Sequence, residues 1–205
     1  LIPASITIVV EGDTDAPFAT RLCEAAGFQV SPLLVASGWK SRLDSLIPNL
    51  LNANRSSPYL ILRDLDCDEE CPGTWLSKNR LTNQGDYYVL RLAVHAVEAW
   101  FLADHECAAA ALHVGAMKLP MEPEKERDPK VTLVNLARMS TKPRIQTAIV
   151  PKPGLCRKTA PGYGSWFIEA ARSWSVERAI RRSPSLARAR QCIEELRTCW
   201  HQRTL

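Results

Sequence analysis

Ile6-Thr7-Ile8-Val9-Val10-Glu11-Gly12-Asp13-Thr14-Asp15 reads as a buried strand that breaks abruptly into acid. Consecutive apolar and β-branched residues suit a strand covered on both faces, as in a parallel sheet. A second stretch has the same build: Tyr59-Leu60-Ile61-Leu62, then Arg63-Asp64-Leu65-Asp66-Cys67-Asp68. Parallel sheets place ligand chemistry outside the carboxyl ends of their strands. One strand ending in Glu11 and another ending in Asp64-x-Asp66 bring three carboxylates to one edge. Carboxylates that close repel unless a cation sits among them, and oxygen donors of this kind suit Mg²⁺ or Mn²⁺.

Between and after these stretches, strand and helix patterns alternate. Thr14 or Asp15 can cap a helix running to about Ala26, stopped by Gly27. Phe28–Val35 reads as a strand, and Ser31-Pro32 within it points to a sheet edge. A helix fits Trp39–Asn52, with Pro48 expected to kink or split it. A short helix fits Thr74–Leu81, Tyr87–Val94 is the fourth strand, and His95–Leu112 is one long helix. The alternation predicts an α/β protein with a doubly wound, mainly parallel four-stranded sheet. The expected division is a core over residues 1–113 and a basic, mainly helical extension over 114–205 packed on it. Within that extension Val114–Asp128 reads as a linker, Lys130–Met139 as a helix, and Thr141–Gly164 as irregular. Helices over Tyr163–Trp174 and Ser175–Arg182 and a final one from Ser183-Pro184-Ser185 follow.

The net charge of +4 hides a split. Residues 1–137 hold 12 Lys/Arg against 18 Asp/Glu, and residues 138–205 hold 14 against 4. An acidic half suited to metal is followed by a basic one suited to phosphates, although Arg-rich helices are often only solvated faces. No apolar run approaches the ~18 residues of a membrane span, and no secretory leader is evident. Seven Cys without a disulfide framework fit a reducing, cytoplasmic location.

Val10-Glu11-Gly12 with Asp64-x-Asp66 after a third strand resembles the TOPRIM domain of topoisomerases, primases, recombination proteins and the OLD family of nucleases. Val97-Glu98-Ala99-Trp100-Phe101-Leu102-Ala103-Asp104 resembles the Glu-x-Trp-x-x-Ala-Asp signature of a TOPRIM-like family of unknown function. Gly162-Tyr163-Gly164 and Ser183-Pro184-Ser185-Leu186 resemble its C-terminal pattern. The resemblance spans nearly the whole chain. It implies a TOPRIM-like fold and Mg²⁺-dependent chemistry on phosphodiester bonds. The chain has no Tyr in a topoisomerase setting and no primase zinc module, which leaves the OLD-like nucleases as the nearest functional analogue. Those enzymes carry an ATPase domain. Here Gly38-Trp39-Lys40-Ser41 lacks the phosphate-loop pattern, so any ATPase would be a separate subunit.

In a two-metal site, ions roughly 4 Å apart clamp the attacking and leaving oxygens. Glu11 would bind one ion or act as base, and Asp64 and Asp66 would be ligands. Asp68 would add a ligand directly or through water, and Glu98 would serve the second ion. Asp104 is a helix cap or a supporting partner. The cation for the developing charge is assigned to the basic loop holding Lys152, Arg157 and Lys158, with Lys158 as the catalytic candidate. Read as structure alone, Glu11-Gly12 ends a strand in a turn, the Asp run is a solvated loop, and Glu98 sits in a core helix. A zinc set of Cys67, Cys71, His105 and Cys107 has irregular spacing, and His95 reads as a packed or capping residue.

Three functions follow as expectations. The first is a metal-dependent nuclease acting on DNA or RNA, in phage defence beside a separate ATPase. The second is a non-catalytic nucleic-acid or partner-binding module. The third is a hydrolase of nucleotides or small phosphoesters. The C-terminal helices also offer a surface for a homodimer.

Overall fold

The computed structural model describes residues 4–36, 40–51, 57–66, 68–69, 71–82, 84–94 and 96–204. The chain divides into two compact units, Leu1–Val94 with Ser185–Leu205, and His95–Pro184. The division expected at 113/114 therefore differs from the units seen. The first unit closes at the end of the sheet, and all but the first residue of the last helix belongs to it.

The first unit is built on β1 (Ser5–Val10), β2 (Gln29–Val35), β3 (Tyr59–Asp64), β4 (Gln84–Gly85) and β5 (Tyr88–Ala93). Among the described residues the sheet has five strands rather than four, in the order β2-β1-β3-β5-β4, and only the two-residue β4 runs antiparallel. Sequence pattern cannot reveal β4, because two residues carry no periodicity. β2, with Ser31-Pro32, is an edge strand as expected, and its pairing with β1 slips between Ile6 and Ile8. The helices α1 (Ala16–Ala25), α2 (Lys40–Leu51) and α3 (Pro72–Lys78) connect the strands. Of the two outcomes expected at Pro48, a split does not occur: α2 runs through it, with Leu43 and Ile47 fully buried in the core. Gly27 ends α1 in the left-handed conformation at φ 85°. The core around α2 gathers Val9, Leu43, Ile47, Ile61, Trp75 and Leu90.

The second unit is helical. The expected single helix over His95–Leu112 is two, α4 (Val97–Ala103) and α5 (His105–Leu112), broken at Asp104. α6 (Pro129–Arg138), α7 (Pro143–Ile149), α8 (Tyr163–Ala170) and α9 (Val176–Ala179) complete it. α7 lies in the stretch expected to be irregular; Pro143 is not a breaker there because it sits in the first turn. α10 (Pro184–Thr204) buries Leu186, Ala189, Ile193 and Leu196, one stripe at helical spacing. Within the first unit its Arg197 donates to the Ala26 carbonyl at 3.4 Å, and Trp200 meets Tyr87 edge-on. Among the described residues no helix is long and apolar enough to cross a membrane.

Candidate active site at the carboxyl edge of the sheet

The chain leaves β1 for β2 on one side and then crosses back to β3 on the other. The order of connection therefore reverses between β1 and β3. Such a switch point opens a crevice outside the carboxyl ends of the two strands. Val10 is paired with Leu62, so Glu11 follows β1 and Asp64 ends β3 at the same edge. α2 begins after β2, which brings Lys40 to that edge as well.

The turn after β1 is fixed by Asp15. Its carboxylate, which the sequence offered as a helix cap, instead accepts the Gly12 amide at 2.9 Å. Glu11 projects from this turn half-buried. Its Oε2 is fully buried and has no hydrogen-bond partner among the described residues. Burial raises the Glu11 pKa above the ordinary carboxylate value; Lys40 opposes the shift and Asp66 adds to it.

The end of β3 carries a charge network. Arg63, 2% exposed, donates from Nε and Nη2 to the two oxygens of Asp44, at 2.6 and 2.9 Å. Its Nη2 also reaches Asp68 at 2.7 Å, its Nη1 donates to the Asp64 carbonyl, and its guanidinium lies 4.4 Å over the Trp75 ring. A buried guanidinium is tolerated because its donors are used in this way. Asp66 sits in the left-handed region at φ 50°, a conformation Asp tolerates better than most residues. Lys40 Nζ hydrogen-bonds Asp66 and lies 3.1 Å from Asp68 Oδ2. Burial works against the Lys40 ammonium, but its bonds to Asp66 and Asp68 more than reverse this and lift its pKa. Burial likewise raises Asp68, and Arg63 and Lys40 outweigh it to hold that carboxyl below its usual range.

Glu11, Asp64, Asp66 and Asp68 thus belong to one edge of one unit. Among the described residues no three His, Cys, Asp or Glu side chains form a ready metal cage. Glu98 belongs to the second unit, where its Oε1 accepts Tyr163 Oη at 2.6 Å and pairs with Lys130 at 3.2 Å. Its buried Oε2 has no partner among the described residues. Lys158 pairs with Asp128 at 2.7 Å, also in the second unit. Asp104 proves to be the α5 cap, accepting Cys107 N, and it binds Arg178 Nε and Nη2 at 2.7 and 2.8 Å and Ser175 N at 2.9 Å. Of the residues weighed for zinc, Cys67 lies outside the described residues, as does His95. Cys71 Sγ is 3.2 Å from Thr74 Oγ1, His105 Nε2 meets the Pro120 carbonyl, and the Cys107 thiol donates to the Ala170 carbonyl.

Sequence reasoning missed Lys40, Arg63 and Asp44. In the sequence Lys40 stands out only within Gly38-Trp39-Lys40-Ser41, which lacks the phosphate-loop pattern. Its signal is positional: in a parallel α/β unit the first residue of a helix after a strand lies at the carboxyl edge. The signal for Arg63 is a lone charge inside an apolar strand, which demands a buried counter-ion.

Comparison with protein-family models, curated proteins and solved structures gives no match to this chain.

Proposed function

We propose that the carboxyl edge of the first unit is a divalent-cation-dependent phosphodiester hydrolase centre, a nuclease of the TOPRIM and OLD kind that acts on DNA or RNA. The observation that carries the reading is Glu11 Oε2, a buried carboxylate oxygen at the switch point with no donor among the described residues. Leaving such an atom unsatisfied costs about 1–3 kcal/mol, which a cation would relieve. The neighbouring donors are hard oxygens, which fits Mg²⁺ or Mn²⁺.

Glu11, Asp64 and Asp66 would hold the cation, with Asp68 contributing directly or through water. Such an ion, when bound, lowers the pKa of a coordinated water and draws charge from phosphoryl oxygens. Where Glu11 serves as base instead of ligand, its burial-raised pKa suits it to take the proton of the attacking water. Arg63 is a positioning residue that fixes Asp68 and the Asp64 backbone. Lys40, once off the acids, would face the developing charge on the phosphate, the role the sequence had given to Lys158. The resemblance adds a separate ATPase subunit as partner and defence against foreign nucleic acid as setting.

The test is Mn²⁺ calorimetry on the wild type and on Asp64→Ala/Asp66→Ala, followed by cleavage of DNA and RNA by the wild type, Glu11→Ala and Asp66→Ala. Cation binding lost in the double variant and cleavage lost in both single variants are expected. Cleavage that persists in both sinks the proposal. A non-catalytic module is the second reading, favoured by the Lys40 bonds to Asp66 and Asp68. It prevails if the wild type binds nucleic acid in a salt-dependent way and takes no divalent cation.

A further inference from the structure

A cavity of about 490 Å³ opens in the first unit between the middle of β5, the start of α3 and one stripe of α10. Beyond Val89 the outer edge of β5 has no ladder partner among the described residues, because β4 pairs only with Tyr88 and Val89. The α10 stripe repeats at helical spacing through Ser185, Arg188, Cys192 and Glu195. Two guanidinium groups line the space, Arg91 from the strand and Arg188 from the helix.

Neither arginine has a carboxylate within ion-pair distance among the described residues. Glu195, the one acidic group lining the cavity, accepts instead from Gln191 at 3.0 Å. Arg91 is half-buried. Its burial, with Arg188 acting the same way, pushes its pKa down against the pull of Cys192 and Glu195. Guanidinium keeps its charge in a protein, so positive charge without a direct ion-pair partner among the described residues is built into this wall.

We propose that this cavity binds a phosphate group, that of a nucleotide or of a nucleic-acid strand, between Arg91 and Arg188. One arginine fork satisfies the two oxygens of a carboxylate, whereas two forks call for the further oxygens of a phosphate. The volume exceeds a bare ion and leaves room for the sugar the phosphate carries. The proposal does not rest on the cation reading of Glu11 and the β3 acids.

Calorimetry with inorganic phosphate, a nucleoside 5′-monophosphate and a 5′-hydroxyl oligothymidylate tests it. The wild type should bind a phosphate-bearing probe. Arg91→Leu and Arg188→Gln should each weaken that binding about tenfold or more, the loss of one charge-assisted contact. Arg181→Gln, the same charge change at an exposed residue of the second unit, should leave it unaltered. Tighter binding of the mononucleotide marks the source as a free nucleotide, and tighter binding of the oligonucleotide marks it as a strand. Arg188 is exposed, so its substitution keeps the test intact should Arg91→Leu unfold. No binding by the wild type, binding that survives both substitutions, or equal loss in Arg181→Gln would overturn the assignment. Neither variant alters an acid of the β1–β3 edge, so this failure and the failure of the cation reading are separately visible.

Discussion

Replacing Lys40 by Met should weaken the fold and strengthen cation binding, two effects of opposite sign from one change. The Lys40 ammonium hydrogen-bonds Asp66 and lies 3.1 Å from Asp68 Oδ2. Its side chain is 23% exposed, and those of Asp66 and Asp68 are 51% and 35% exposed. Fully exposed ion pairs contribute under about 1 kcal/mol and buried charge-assisted hydrogen bonds about 1.5–3 kcal/mol. The intermediate exposure places the Lys40 bonds at about 1.5 kcal/mol. A divalent cation entering the acid edge must give up that energy to displace the ammonium. Without Lys40 its affinity should therefore rise about tenfold. The metal-free fold should lose about 1 kcal/mol as Asp66 and Asp68 face each other, lowering Tm by about 2–4 °C at this chain length.

The assay is a Mn²⁺ titration paired with thermal unfolding, each with and without the ion. Mass-spectrometric mapping of amine labelling adds an independent readout, since a displaced Lys40 should label faster when Mn²⁺ is present. Cation affinity unchanged or weakened in Lys40→Met, with Tm still lowered, would refute displacement and make Lys40 an organiser of the site. Slower labelling of Lys40 with Mn²⁺ would refute it as well.

Glu11 gives a pH prediction. Its folded pKa lies above the ordinary 4.5, chiefly through burial, so the folded state holds a proton the unfolded chain has lost. Its contribution to stability therefore falls as pH rises from about 4.5 through the folded value, and Glu11→Gln removes that fall. The Tm advantage of Glu11→Gln should grow from pH 4 upward, and a constant difference would contradict it. Asp104→Ala leaves two backbone amides without their acceptor and takes from Arg178, one-third exposed and still bonded to the Ser173 carbonyl, its carboxylate partner, so a loss of about 2–3 kcal/mol is expected by chemical denaturation. A loss under about 1 kcal/mol would mean the break between α4 and α5 does not depend on Asp104. Gly27→Ala combines a φ of 85° with a Cβ placed 2.6 Å from Arg197 Nη1, and should lower stability by about 1–2 kcal/mol, seen as a reduced Tm.

The parallel sheet was legible because Ile6–Val10 and Tyr59–Leu62 are apolar on both faces, which only a covered strand explains. The carboxyl-edge position of Glu11 and Asp64 followed from that alone. The break at Asp104 was legible only in part: Asp104 reads as a helix cap and caps α5 at Cys107 N, whereas its bond to Arg178, 74 residues away in sequence, carries no local signal. β4 escaped because it is too short for a pattern. Lys40 is hidden for a different reason: Gly38-Trp39-Lys40-Ser41 completes no phosphate loop, and only its place after β2 in the topology brings it to the acids. Of the Glu-x-Trp-x-x-Ala-Asp stretch, the sequence offers Glu98 to a metal and Asp104 as a cap or supporting partner. Yet within the second unit Glu98 meets Tyr163, Trp174 donates to the Trp100 carbonyl, and Asp104 binds Arg178. The motif's spacing thus also describes how α4 is tied to the helices that follow it.

The two cations of the acid edge differ in how firmly they are held, and this orders the acids. Arg63 is 2% exposed, makes four hydrogen bonds and is stacked on Trp75, so it cannot leave without unfolding the end of β3. Lys40 is more exposed, starts its helix and has no ring beneath it among the contacts of the described residues. When Lys40 leaves, Asp68 keeps Arg63 as counter-ion, whereas Asp66 loses the ammonium. An entering divalent cation is therefore drawn to the Asp66 and Glu11 side of the edge, away from the acid that stays bonded to Arg63. Asp66→Asn should then reduce Mn²⁺ affinity about tenfold or more, while Asp68→Asn should change it less than threefold, because Asp68 remains held by the guanidinium it shares with Asp44. The reverse order in the same titration would place the cation on Asp68 and show that Arg63, not Lys40, gives way.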